Sequence, residues 1–289
     1  MTISKTLRKG HVVSLLGALC FMWHAVLFDL DDTLIIADNL KLMDAYFEDV
    51  AKRFLPQLSA ETVRRQIVNS TLHLMGADDG QRLAVDRFAD HFFSSLGLPA
   101  DMSVFEEYYD DEYARLGRFA RPALGAREAV QEALNLGLRV VLATNPVFPL
   151  KAIKQRLAWG GLEDIPWDSI ASLENMHYSK PQPGYYLEIA QNLNLQPDKC
   201  LMVGNDPVND LPAKLIGMST FLVAGERPAV SEAEREAAER ITTTDAADAE
   251  LLQADASVLP AHGDLHPDYT GTLEDLRRLL RGKVGGSGA

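Results

Sequence analysis

Between residues 138 and 223 the chain alternates continuous apolar runs with amphipathic stretches. That alternation narrows the fold more than any other feature. "LRVVLATN", "SIASL", "CLMVGND" and "STFLV" read as strands, and "PLKAIKQRLAW", "PGYYLEIAQNL" and "DLPAKLIGM" read as the helices between them. In the middle helix, Tyr186, Ile189, Ala190 and Leu193 share one face. Strands that are apolar on both sides and separated by helices imply a parallel sheet covered on both faces, an α/β fold. An earlier apolar run, His24 to Phe28, reads as the first buried strand.

Residues 39–116 read as helical, with no convincing strand. Leu40, Met43, Phe47, Val50 and Phe54 recur at spacings of three and four, an amphipathic face. Further helical patterns cover about 60–75, 81–96 and 103–115, split by "GADDG" and "GLPAD". "RPALG", Arg121 to Gly125, reads as a linker. A helix with Val130 and Leu134 one turn apart follows it and stops at Gly137. The helical block interrupts the sheet after its first strand, so it reads as an inserted domain over 38–118. The expected core is then 22–37 with 119–224, leaving 225–289 as a C-terminal extension. Within that extension, 225–257 is rich in Ala and Glu and reads as a surface helix or a mobile stretch. Thr272 opens a last helix with Asp275 at the capping-box position, and "GGSGA" is a flexible tail.

The 289 residues carry a net charge of −13, which argues against tracking a nucleic-acid backbone. An anionic substrate must be drawn in by a local cation. Cys20 and Cys200 show no pairing or metal pattern, so both read as reduced thiols of a cytoplasmic protein. Lys5, Arg8 and Lys9 before the apolar Val12 to Trp23 imitate a signal peptide. The run lacks an A-x-A-like site, is short for a membrane span, and passes directly into the first strand. Residues 1–21 therefore read as an N-terminal extension, with Met22 the expected true start and no membrane partner. "HGDLH", His262 to His266, reads as a surface loop and is assigned no metal.

Three carboxylates, Asp29, Asp31 and Asp32, stand within four residues at the end of the first strand. Crowded like charges are costly unless a cation holds them. The second strand delivers Thr144 and Asn145, the fourth Asp206, with Asp210 four residues on. Lys180 precedes Pro181 after the third. Ligands of open parallel sheets bind outside the carboxyl ends of the strands, so these residues are expected to converge. Such acids suit Mg²⁺, which takes oxygen ligands and needs only one or two carboxylates. Asp29 and Asp206 would supply them, with Asp210 a ligand or a brace behind one. A carboxylate also attacks phosphorus directly, and an acid two residues on protonates the leaving oxygen and then activates water. Thr144 and Lys180 offer a hydroxyl and a fixed positive charge for phosphoryl oxygens. Simpler roles compete with these. Asp32 and Thr33 are natural turn formers, Thr144 caps a strand, and Asp210 is placed to cap the helix after it.

Taken in order, the motifs resemble those of the haloacid dehalogenase-like hydrolase superfamily. An apolar strand runs into Asp29-Leu-Asp31-Asp-Thr33, a second ends at Thr144, Lys180 stands before Pro181, and the fourth strand runs into "LMVGNDPVND". The resemblance spans roughly 24–224. It implies a Rossmann-like core, with the helical insertion as a cap of the C1 type. It also implies Asp29 as nucleophile and Asp31 as acid and base, the latter lending its backbone carbonyl to Mg²⁺. Thr144, Asn145 and Lys180 would hold phosphate, and Asp206 the metal. Asn205, between Gly204 and Asp206, departs from the pattern. Dehalogenase members lack the second acid, so Asp31 points to phosphoryl chemistry. The expectation is Mg²⁺-dependent hydrolysis of a small phosphorylated metabolite through an aspartyl-phosphate. A sugar-phosphate mutase and a catalytically silent phosphate-binding module are the alternatives.

Overall fold

The computed structural model describes residues 22–76, 80–225 and 265–284. The expectations for 1–21, most of the Ala/Glu-rich stretch and the tail lie outside the described residues.

Strand β1 (Ala25–Phe28) is followed by a short β2 (Ile35–Ala37). Four helices come next: α1 (Asn39–Lys52), α2 (Ala60–Met75), α3 (Ala84–Ser95) and α4 (Ser103–Asp111). A 3₁₀ helix (Tyr113–Phe119) leads into β3 (Ala120–Pro122), which pairs antiparallel with β2. The chain then runs α5 (Ala126–Asn135), β4 (Arg139–Leu142), α6 (Leu150–Trp159), β5 (Ser169–Ile170), α7 (Pro183–Asn192), β6 (Cys200–Gly204) and β7 (Ser219–Val223). It closes with β8 (Tyr269–Gly271) and α8 (Leu273–Val284). The main sheet has the order β5-β4-β1-β6-β7-β8, and every pair in it is parallel.

Period-two packing explains the continuous apolar strands. Val26, Phe28, Val140, Leu142, Leu201 and Val203 pack on one face, under α5, α6 and α8. Ala25, Leu27, Val141, Cys200 and Met202 pack on the other, with Tyr185, Tyr186 and Ile189 of α7. Both faces are covered, so both strand registers must be apolar. Helices α1 to α4 build a separate apolar cluster around Val50, Val63, Phe92 and Tyr108, which also takes in Ala152 and Leu173 of the sheet portion. The sheet with flanking helices and a helical insertion is the fold class expected from the sequence.

Helix starts follow local chemistry. Asp38 accepts the Lys41 N–H, and Ser59 accepts that of Thr62. The capping box at Thr272 forms in both directions, Asp275 N–H to Thr272 Oγ1 and Thr272 N–H to Asp275 Oδ2. Gly125 precedes α5 at φ 79°, a left-handed turn that glycine adopts without strain.

Five points of the sequence reading are corrected. The β2–β3 ribbon was not foreseen, and "RPALG" is strand in its first part rather than linker throughout. "DLPAKLIGM" forms a 3₁₀ helix, Leu211–Ile216, beginning with Leu-Pro and ending at Gly217 at φ 93°. Its few residues cannot sustain α geometry between such bounds. Asp210 does not cap it with its side chain. Lastly, residues 269–284 are no appendage. β8 pairs with β7, and Leu273, Leu276 and Leu280 are buried in the core under α5.

Candidate active site

The register sets the site. Phe28 pairs with Leu142 on one side and with Val203 on the other. The strands end close together, and Asp29, Thr144 and Asp206, one or two residues beyond their strand ends, leave the same edge of the sheet. β1 lies where the strand order reverses direction, the place where such sheets open a crevice.

After Asp29 the chain makes one tight turn. Leu34 and Ile35 both donate their N–H to the Leu30 carbonyl, at 2.9 and 3.0 Å. Asp32 takes φ 54°, a conformation that aspartate tolerates better than most residues. It acts as a turn former, as its sequence position suggests. Thr33 does more. Its hydroxyl lies 3.2 Å from Asp29 Oδ2 and 2.9 Å from Asn205 Oδ1, and its single proton serves one of them at a time. Asn205, the departure from the family pattern, thus ties the β6 end to the β1 turn.

Lys180 is 1% exposed. Its ammonium donates to Asp29 Oδ1 at 2.8 Å and to Asp210 Oδ1 at 2.7 Å. Burial acts to lower the lysine, but Asp210 and Asp29 hold it above its ordinary value. Burial pushes the Asp210 carboxyl up to about 6, against the pull of Lys180. The other oxygen of Asp210 accepts the Asp206 N–H at 3.0 Å. Asp210 is therefore a brace that fixes both Lys180 and the backbone of Asp206.

Asp31 points elsewhere. Its carboxylate pairs with Arg156 of α6, whose side chain is 5% exposed. Burial raises the Asp31 carboxyl above its usual range, while Arg156 opposes the rise. The guanidinium also lies over the Phe148 ring at 5.1 Å. Arg156 escaped the sequence reading, because in "LKAIKQRLAW" it is one basic residue among three on a helix. Only packing shows which of them faces inward.

Thr144 is buried, and its carbonyl accepts the Tyr185 hydroxyl at 2.7 Å. Asn145 accepts the Lys180 N–H through Oδ1 at 3.2 Å, so it holds the lysine loop. Asp206 accepts from Val208 N–H at 2.8 Å and from Asn209 Nδ2 at 2.6 Å, which orient its carboxylate. All seven residues singled out in the sequence stand at this edge or in the loops from it. Several basic residues of the insertion pair with its own acids: Lys41 with Asp38, Lys52 with Asp49, Arg53 with Glu107 and Glu112, and Arg64 with Asp44.

Among the described residues no three His, Cys, Asp or Glu side chains form a metal-binding group. A hard divalent ion does not require three. The Asp29 and Asp206 carboxylates and the Asp31 carbonyl are oxygen donors of the kind Mg²⁺ takes, with water filling the rest. The donor set fits that ion and would suit a soft metal poorly.

The model of the haloacid dehalogenase-like hydrolases matches residues 23–214. Hexitol phosphatase B of Escherichia coli strain K12 is 32% identical over 193 residues, spanning 65% of this chain and 78% of that protein. The phosphoglycolate phosphatase of Rhodospirillum rubrum is 27% identical over 210 residues, 69% of this chain and 79% of that protein. That of Psychrobacter arcticus is 24% identical over 194 residues, 65% and 77%.

Proposed function

The chain belongs to the haloacid dehalogenase-like hydrolases, and from that premise we propose that it hydrolyses a small phosphate monoester, with Asp29 as nucleophile and Asp31 as acid and base. The observation that carries the reading is the pair of carboxylates on one turn, each held by its own buried cation. Lys180 grips Asp29, and Arg156 grips Asp31. The similarity to phosphatases of sugar alcohols and of phosphoglycolate supports it.

Asp29 offers Oδ2 to phosphorus while Lys180 keeps Oδ1 oriented and its ammonium beside the incoming phosphoryl oxygens. The P–O bond to the leaving group breaks as the Asp29–phosphorus bond forms. Asp31, whose carboxyl burial raises against the pull of Arg156, gives its proton to the leaving oxygen. Now a carboxylate, it takes a proton from water, which attacks phosphorus and releases Asp29 and inorganic phosphate. Thr144 presents a hydroxyl at the same strand edge. Mg²⁺ held by Asp29, Asp206 and the Asp31 carbonyl would neutralise phosphoryl charge. The helical insertion of 38–118 acts as the C1-type cap. A cytoplasmic site of action fits the buried, unpaired Cys200 thiol.

The test is turnover of p-nitrophenyl phosphate with and without Mg²⁺, by the native chain and by Asp29→Asn. Mg²⁺-dependent release of phosphate, lost in the variant, is expected. Equal turnover by both would overturn the reading.

A further inference from the structure

Between helices α1 to α4 and the loops that follow β4 and β5 lies a cavity of about 330 Å³. Its walls include Ile67, Val68, Phe88 and Phe105 from the helices and Val147 and Phe148 from the β4 loop. Protein interiors seldom keep voids larger than a water molecule. A cavity of this volume is at the small end of ligand sites, and an apolar one takes apolar molecules.

Two observations join the cavity to the carboxylates. Val147 and Phe148 stand two and three residues after Asn145, on the loop that also carries Thr144. The Phe148 ring lines the cavity and lies 5.1 Å from the guanidinium of Arg156, which pairs with Asp31. The Phe148 ring therefore stands between the cavity and the Arg156–Asp31 pair.

A third observation concerns what the lining offers. The Tyr46 and Tyr109 hydroxyls bond to each other at 3.0 Å. The Thr71 hydroxyl donates to the Ile67 carbonyl at 2.9 Å, and both oxygens of Glu174 accept the Leu150 N–H, at 3.0 and 2.9 Å. Glu106 lies exposed at the edge. The polar groups of the lining are thus largely engaged with one another or with backbone. A polyol placed here would lose water at several hydroxyls with few partners to replace it. No lysine or arginine is among the described lining residues, so a second anionic group would find no cation in the cavity wall.

We propose that this cavity receives the leaving group of the phosphate ester, and that the group is an uncharged hydrocarbon, aliphatic or aromatic, rather than a polyol. The assignment rests on the phosphatase reading above for the identity of the ester. It rests on the cavity alone for its apolar part.

The experiment uses the full chain with Mg²⁺ and reads turnover and binding separately. For turnover, ethyl, butyl, hexyl and octyl phosphate are compared with a hexitol phosphate. The specificity constant is expected to rise about three- to fourfold per added methylene until the cavity is full, and the hexitol ester to fall below the butyl ester. For binding, the corresponding alkylphosphonates, which cannot be hydrolysed, are measured by calorimetry and should follow the same slope. Val68→Phe, which fills the cavity, should flatten both slopes. If that variant does not fold, the native series still decides. A flat series, or preference for the hexitol ester, would overturn the apolar assignment and leave the phosphatase reading standing. Chain-length-dependent phosphonate binding with no turnover of any ester would overturn the phosphatase reading and leave the apolar site standing.

Discussion

A Cβ built on Gly204 would lie 2.0 Å from Oδ2 of Asp210. The last residue of β6 must be glycine because the Asp210 carboxylate folds back against the strand end to reach Lys180. Gly204→Ala is expected to push Asp210 off Lys180, costing about 1–3 kcal/mol as an overpacked core does and slowing turnover. Thermal unfolding and phosphatase assays check both. An alanine variant of native stability and rate would show that the strand end has room to give.

Removing Lys180 should hurt more than removing Asp210. Lys180→Met leaves two buried carboxylates facing each other without a cation, an expected loss of about 3–5 kcal/mol. The pH dependence follows from Asp210, whose carboxyl is raised by burial to about 6 in the fold. A raised carboxyl contributes stability that is present below its unfolded value of about 4 and is lost as pH rises through about 6. Without Lys180 this loss steepens. Denaturant titrations should therefore find the variant further below native at pH 7 than at pH 4.5. A pH-independent deficit would contradict the charge argument.

Asp31→Asn and Arg156→Leu should fail together and selectively. Alkyl phosphates need their leaving oxygen protonated, and loss of a general acid there costs about 10²–10⁴-fold. p-Nitrophenolate leaves without help, so its ester should suffer far less. Arg156→Leu acts only by releasing Asp31, so its loss should be the smaller and Arg156→Lys should recover part of it. Equal losses on both esters would remove Asp31 from the acid role.

Chelation should abolish turnover without unfolding the chain, because apolar side chains pack both faces of the sheet. Added Mg²⁺ should restore the rate, and Asp206→Asn should raise the Mg²⁺ concentration needed. Loss of secondary structure on chelation, followed by circular dichroism, would instead make the metal structural.

The C-terminal strand and helix should be needed for stability. Leu276 is fully buried under α5, and Leu276→Ala is expected to cost about 2–5 kcal/mol. Asp268 accepts from the Thr220 N–H at 2.9 Å and pairs with Lys214, tying β8 to β7. Asp268→Ala should cost about 1–2 kcal/mol through those bonds. Stability unchanged by both would return 265–284 to the status of an extension.

The sequence by itself determined the parallel sheet and the edge at which its chemistry gathers. Apolar periodicity is a local record of which sides of a segment are buried, so β1, β4, β6 and β7 were legible from their runs alone. The tight turn after Asp29 was legible too, since Asp32 and Thr33 carry their preferences with them. The tertiary structure decided the rest. β8 is three residues long, too short for a period, and is a strand because it meets β7 while Tyr269 packs edge-on against Trp23 at 5.8 Å. Arg156 and Asp31 are 125 residues apart, and nothing local distinguishes a solvated arginine from one turned inward. Asp210 suited a helix cap by its position, yet the cation of Lys180 claimed its side chain. Local pattern encodes burial and backbone preference, whereas the partner of a charge depends on which distant strand end the fold brings within about 3 Å, a separation no spacing in the chain records.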